Sequence, residues 1–186
     1  MAGVPRISEE QRAARREQIL AGARHAFAAH GYFGTTVPVL EAEIGLSRGA
    51  IFSYFPTKLD LFVALAEEDQ HRVIELWIAE GYDAVVRHIG EGPEWIGVYL
   101  EAARMLRTDP QLRERWRAFN PEHLERLEQH LNGLRESGAL RSDLPLESVA
   151  RFLGVVMDGL AAQQGAGFDV DVPGTLELVH AAVGPK

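Results

Sequence analysis

Apolar residues along this chain return every three or four positions and do not alternate in twos, so the pattern predicts helices and no strands. Between residues 12 and 30, Ile19, Leu20, Ala23, Ala26 and Phe27 form one stripe, and Gly31 falls where a glycine would end the helix. Thr35-Thr36-Val37-Pro38 then offers a cap and an early proline to a short second helix that turns Val39, Leu40 and Ile44 inward and closes at Gly45. A single residue, Leu46, separates that glycine from Ser47, a good N-cap for a third helix reaching about Tyr54. A glycine turn this short keeps the second and third helices together, as in a helix-turn-helix.

Pro56 and Thr57 end the third helix and open a long fourth one carrying Leu61, Phe62, Leu65, Val73 and Leu76, closed by Gly81. A short fifth helix precedes the loop Gly90-Glu91-Gly92-Pro93. Further helices are expected from about Glu94, Pro110, Pro121, Pro145 and Pro173, most of them announced by a capping Asp or Asn before a proline. The expected fold is therefore all-α, with about nine helices: a helix-turn-helix module over residues 1–57 joined to a helical bundle over 58–186.

Composition sharpens this picture in two places. The absence of cysteine excludes disulfides and thiolate metal sites. The net charge of −8 is divided unevenly: residues 1–60 hold seven Lys/Arg against six Asp/Glu, whereas the remainder holds twelve against twenty-one. The N-terminal third can therefore approach phosphate despite the acidic total. A charged start without a signal-peptide core, and no apolar run of about 18 residues, fit a cytoplasmic chain with no membrane contact. No Ser/His/Asp elbow, phosphate loop or HExxH occurs, so no enzymatic activity, cofactor or metal is expected.

The stretch from Thr35 to Phe62, TTVPVLEAEIGLSRGAIFSYFPTKLDLF, resembles the TetR family of bacterial repressors. The match lies in a Thr-Thr pair, a Gly-aliphatic-Ser turn, an aromatic-x-aromatic-Phe end to the third helix and a Lys at the start of the fourth. The resemblance implies a homodimeric repressor on a palindromic double-stranded DNA operator. The residues placed at DNA are Thr36, Ser47, Arg48, Gly49, Ser53, Tyr54 and Lys58. Ser47, Gly49, Ala50 and Ser53 are small enough for close backbone approach to a major groove, where Arg48 is the one long donor, able to reach a guanine edge or a phosphate. Tyr54 and Lys58 suit phosphate, and Thr36 and Ser47 either cap helices only or cap and touch phosphate. The family commonly has Tyr where this chain has Phe52, which is expected in the core.

Beyond the head, SRGAIF, LFVALAEED and LRTDP followed by RW are similar to the actinobacterial aconitase-repressor subgroup of that family. The helix expected over 145–164 is apolar on more than one face, and the resemblance implies a four-helix dimer interface made by it and the last helix. Phe152, Val156 and Leu160 are expected from the former and Leu176 and Val179 from the latter. Polar residues on otherwise apolar helices are the candidates for a small-molecule effector pocket: Tyr99, Glu101, Arg104, Trp116, His130, Gln163 and His180. The subgroup has Arg and Glu where His130 and His180 stand, which disfavours a citrate-like effector and would suit a pH-sensitive or metal-dependent pocket. His123 and His130, seven apart, share a helix face but lack a third ligand. The alternative reading is a helical small-molecule- or protein-binding module without specific DNA binding.

Overall fold

Several helices start where a side chain takes up an orphan backbone N–H, and the computed structural model, which describes residues 8–119 and 121–185, is helical wherever the apolar stripe runs. Helix α1 (Glu9–Gly34) opens on a reciprocal cap, in which Ser8 Oγ accepts from the Gln11 N–H and Gln11 Oε1 accepts from the Ser8 N–H, both at 3.1 Å. Gly31 breaks it as expected, at φ 65°, but a last turn continues to Gly34. The buried Thr35 then shares its hydroxyl hydrogen between the Gly31 and Ala26 carbonyls, at 2.7 and 3.1 Å.

Helices α2 (Val37–Ile44) and α3 (Arg48–Phe52) are separated by Gly45 in the left-handed region at φ 73°. Glu41 Oε1 of α2 accepts the Arg48 N–H at 2.6 Å, and Gln18 of α1 donates to the Ile44 carbonyl at 3.0 Å, so the turn is held from both sides. There follow α4 (Lys58–Glu80), α5 (Tyr82–Gly90), α6 (Trp95–Thr108), α7 (Pro110–Phe119), α8 (Pro121–Glu136), α9 (Leu146–Gly165) and α10 (Val172–Val183). The described residues thus form ten helices, against an expected total of about nine, and those after α5 begin within about a residue of the expected starts near Glu94, Pro110, Pro121, Pro145 and Pro173.

Two cores result. Ile19, Leu20 and Phe27 of α1, Leu40 and Ile44 of α2, Ile51 of α3 and Phe55 close on Leu61, Phe62 and Leu65 of α4 and on Val98 and Ala102 of α6. Trp77 of α4, Val85, Val86 and Ile89 of α5, Ile96 of α6, Leu131 of α8, Val149, Leu153 and Leu160 of α9, and Val179 and Val183 of α10 form the other. Helices α4 and α6 therefore thread both cores and tie the head to the bundle. None of the described helices is long and apolar enough to cross a membrane.

Candidate nucleic-acid interface and ligand cavity

Helix α3 is only five residues long, so its orientation comes from its anchors rather than from its own hydrogen bonds. Ile51 and, just beyond the helix, Phe55 are buried, which turns Ser47, Arg48, Gly49 and Ser53 outward. Ser47 caps the helix through Oγ, accepting from the Ala50 N–H at 3.4 Å, and Ser53 Oγ donates back to the Ala50 carbonyl at 2.7 Å. A Cβ added at Gly49 would meet nothing within 4 Å, so the open face is not screened by the protein's own atoms.

Three arginines rest against aromatic rings along this edge: Arg48 over Phe52 at 6.0 Å, Arg12 over Tyr54 at 6.0 Å and Arg16 over Phe55 at 5.6 Å. Such stacking orients a guanidinium while leaving its edge free to donate. Phe52 is only half-buried and so forms a ledge under Arg48 as well as packing on the core. Thr36 is exposed, and although its backbone caps α2, its hydroxyl makes no capping bond, so capping alone does not account for it.

Lys58 behaves differently from the sequence expectation. Its ammonium turns inward, donating to the Tyr32 and Thr35 carbonyls at 2.8 and 2.9 Å and lying 4.4 Å from the Tyr32 ring centroid. Partial burial there lowers its pKa. The lysine thus locks the start of α4 onto the end of α1, with two of its three hydrogens already committed.

The bundle holds a cavity of about 500 Å³ between α4, α5, α6, α7, α8 and α9. Of the residues expected at an effector, Tyr99 and Trp116 line it. Tyr99 donates its hydroxyl to Asp158 Oδ1 at 2.6 Å; burial first, and that carboxylate second, push its pKa up.

The other five candidates lie elsewhere. Glu101 and Arg104 pair at 3.3 Å on the side of α6 away from Val98 and Ala102, where Arg104 stacks 4.7 Å from the Phe33 ring. Gln163 is exposed on α9. His180 binds Asp83 at 2.8 Å beside a second hollow of about 310 Å³ lined from α4, α5, α8, α9 and α10, and His130 borders neither space. The two imidazoles therefore do not converge on one site. Among the described residues no group of three His, Asp or Glu could hold a metal; the His123 side chain lies outside them.

Sequence reasoning missed the carboxylates Asp69 and Asp158 and the indoles Trp77 and Trp95, all on the cavity wall. A signal existed for Asp69: it follows Phe62 and Leu65 at helical spacing and so sits in the buried stripe of α4, where a charge is out of place.

The apolar outer surface also departs from expectation. Leu160 and Val179 are 7% and 3% exposed and belong to the chain's own core, and Val156 and Leu176 are half-buried against it, α9 and α10 both packing on α5. Val155 and Leu178, 63% and 72% exposed, point outward together with the partly exposed Phe152.

Comparison with known proteins bears on both regions. The family model described as bacterial regulatory proteins, tetR family, matches residues 19–65, and the BetI-type transcriptional repressor C-terminal model matches residues 77–184. The chain is 39% identical over 188 residues to the HTH-type transcriptional repressor AcnR of Corynebacterium diphtheriae, with 97% of each chain covered. It is likewise 39% identical over 184 residues to an HTH-type transcriptional repressor of Mycobacterium tuberculosis, covering 97% of this chain and 98% of that one. In fold it is similar to a TetR transcriptional regulator from Chloroflexus aurantiacus, with a TM-score of 0.73 at 23% identity over 95% of this chain and 100% of the other.

Proposed function

This chain belongs to the TetR family of bacterial regulatory proteins and is a DNA-binding transcriptional regulator rather than an enzyme; on that premise we propose that it represses as a homodimer on a palindromic operator, under control of a small molecule held in the bundle. Residues 1–57 read DNA, and residues 58–186 dimerise and hold the effector. The observation that carries this reading is the outward face of α3, where Ser47, Arg48, Gly49 and Ser53 are exposed and Gly49 has nothing above it.

Small residues let the α3 backbone enter a major groove, and Arg48, propped on Phe52, supplies the bidentate donor that reads a guanine. Thr36 and Tyr54 serve phosphates on either side, with the α4 N-terminus adding its N–H groups. Lys58 contributes by holding that N-terminus in place. Two copies would put their α3 helices about 34 Å apart, in successive major grooves. The dimer forms through the outer faces of α9 and α10, where Phe152, Val155 and Leu178 leave apolar area that a partner would bury. The protein acts in the cytoplasm, where its DNA is.

The test is a gel shift on the DNA upstream of its own gene, with a salt titration. A sequence-specific band that survives competitor DNA is expected, and Arg48→Ala should weaken it by about 1–3 kcal/mol while leaving the melting temperature unchanged. A module that only sequesters ligands or proteins would give no such band.

A further inference from the structure

We propose that the bundle cavity accepts a lipophilic organic cation, boxed by aromatic rings and neutralised by Asp69 and Asp158, and that Asp69 transmits its occupancy to the DNA-binding head through Arg24. This rests on the regulator reading above and names the ligand chemistry and the route of coupling.

The first ground is the lining. At about 500 Å³ the cavity suits a drug-sized molecule. Among the described residues around it, the only charged side chains are Asp69 and Asp158, with no Lys, Arg or His. An anion would be repelled by the buried Asp69 and, more weakly, by the exposed Asp158, whereas a cation is attracted to both. The rest of the wall is apolar and aromatic, and Trp77, Trp95 and Trp116, all three tryptophans of the chain, belong to it.

The second ground is the orientation of the rings. Trp95 and Tyr99 meet at 79° with centroids 6.1 Å apart, making a corner. The Trp95 N–H is spent on His88 Nε2 at 3.2 Å, with the His88 ring stacked 6.3 Å from one Trp95 face, and the Tyr99 hydroxyl is spent on Asp158, so the other Trp95 face and the Tyr99 ring remain for a ligand. Faces of Trp and Tyr are what a cation without hydrogen-bond donors prefers.

The third ground is Asp69 itself, 5% exposed. Its Oδ1 accepts from Arg24 Nε at 2.9 Å and lies 2.7 Å from Nη2 of the same guanidinium, but its Oδ2 is buried with no hydrogen-bond partner. Burial raises the pKa of this carboxyl despite Arg24, so the site lacks positive charge. A cation in the cavity, within Coulombic reach of this carboxylate, would supply it.

Arg24 stands on α1 and Asp69 on α4, and the same guanidinium also lies 3.5 Å from Glu68. A ligand cation competes with Arg24 for Asp69 and so loosens α1, which carries the head, from α4, which carries the cavity wall. Ligand binding and operator binding then oppose each other reciprocally.

Because every tryptophan lines the cavity, intrinsic fluorescence reports occupancy without DNA. Benzyltrimethylammonium, its neutral carbon isostere neopentylbenzene, and citrate with and without Mg²⁺ are the probes. Saturable quenching by the cation is expected, with affinity at least about tenfold above the isostere. Asp158→Asn should abolish that preference while circular dichroism shows an unchanged fold. Equal binding of cation and isostere, a preference that survives Asp158→Asn, or tighter binding of citrate overturns the ligand class.

For the relay, a saturating cation should weaken the operator complex by at least about fivefold in the unaltered protein and less in Asp69→Asn. Equal release from both overturns it. Should no operator band form at all, the regulator reading fails by itself; the relay is then read from hydrogen exchange, which should quicken in α1 on cation binding in the unaltered chain alone.

Discussion

The head and the bundle solve opposite packing problems. In the head, Ile19, Leu20, Phe27, Leu40, Ile51, Leu61 and Phe62 are all sealed from solvent, and the aromatic pair Phe27–Phe62 locks edge to face at 5.1 Å. In the bundle a cavity remains between α4, α6 and α9, and apolar side chains such as Val155 and Leu178 face outward, mostly uncovered by their own chain. The contrast teaches which part acts as a rigid reading tool and which is completed only by something else. A head that must present α3 to base edges to within a fraction of an ångström needs a filled core, whereas a bundle that answers a ligand and a second copy, as proposed above, must leave room for both.

The contrast is broken most directly by truncations to alanine on its two sides. Phe27→Ala should cost about 3–5 kcal/mol in chemical denaturation, because a filled core cannot collapse around the lost ring. Met157→Ala, at a half-buried cavity wall, should cost less than about 2 kcal/mol. Similar losses at both would show that the bundle is as tightly packed as the head.

Charging the outer face comes next. Val155→Asp combined with Leu178→Asp should raise the dimer dissociation constant by roughly a hundredfold, or about 3 kcal/mol, in sedimentation, with helicity retained. A stable, operator-binding dimer would place the interface elsewhere.

Gly22→Ala probes the head again. A Cβ there would lie 2.8 Å from Ile44 Cα and 2.9 Å from the Glu43 carbonyl oxygen, so α2 must shift from α1. A loss of about 1–3 kcal/mol is expected, with operator affinity falling as the reading helix is displaced.

The smallest effect is electrostatic. His25 on α1 lies 3.1 Å from Glu94 at the start of α6 and 3.7 Å from Glu43 on α2, and the Glu94 hydrogen bond, followed by the Coulombic pull of both carboxylates, raises its pKa. A raised folded pKa stabilises fully below the unfolded value of about 6.5 and loses that stability as pH climbs through the folded value. The melting-temperature gap between the unaltered chain and His25→Gln should therefore be positive near pH 5.5 and close by about pH 8. A gap that widens with pH would show that the link contributes nothing as an ion pair.

Much of the head was legible because its signals are local. Caps at Ser47 and Thr57, the left-handed Gly45 and the stripe from Ile19 to Phe27 each depend on neighbours within a few residues, and they sit where they were expected. The cavity was legible only through Tyr99 and Trp116. Glu101 and Arg104 looked like pocket residues because a polar group on an apolar helix invites that reading, yet helix phase turns them away from the cavity. Lys58 shows the same limit from the other side. Its position was evident, but the two carbonyls that draw its ammonium inward come from residues 23 and 26 positions away.

By itself the sequence determined the helical class, the helix-turn-helix and the family, since periodicity, caps and glycine turns are written in consecutive residues and act over one or two turns of helix. Only the tertiary structure decided which faces of α9 and α10 are buried, that Asp69 meets Arg24 across 45 positions, and that aromatic rings from α4, α6 and α7 enclose one space. Those outcomes depend on how helices cross. Crossing is set by the summed packing of side chains distant in the chain, which a one-dimensional pattern does not encode.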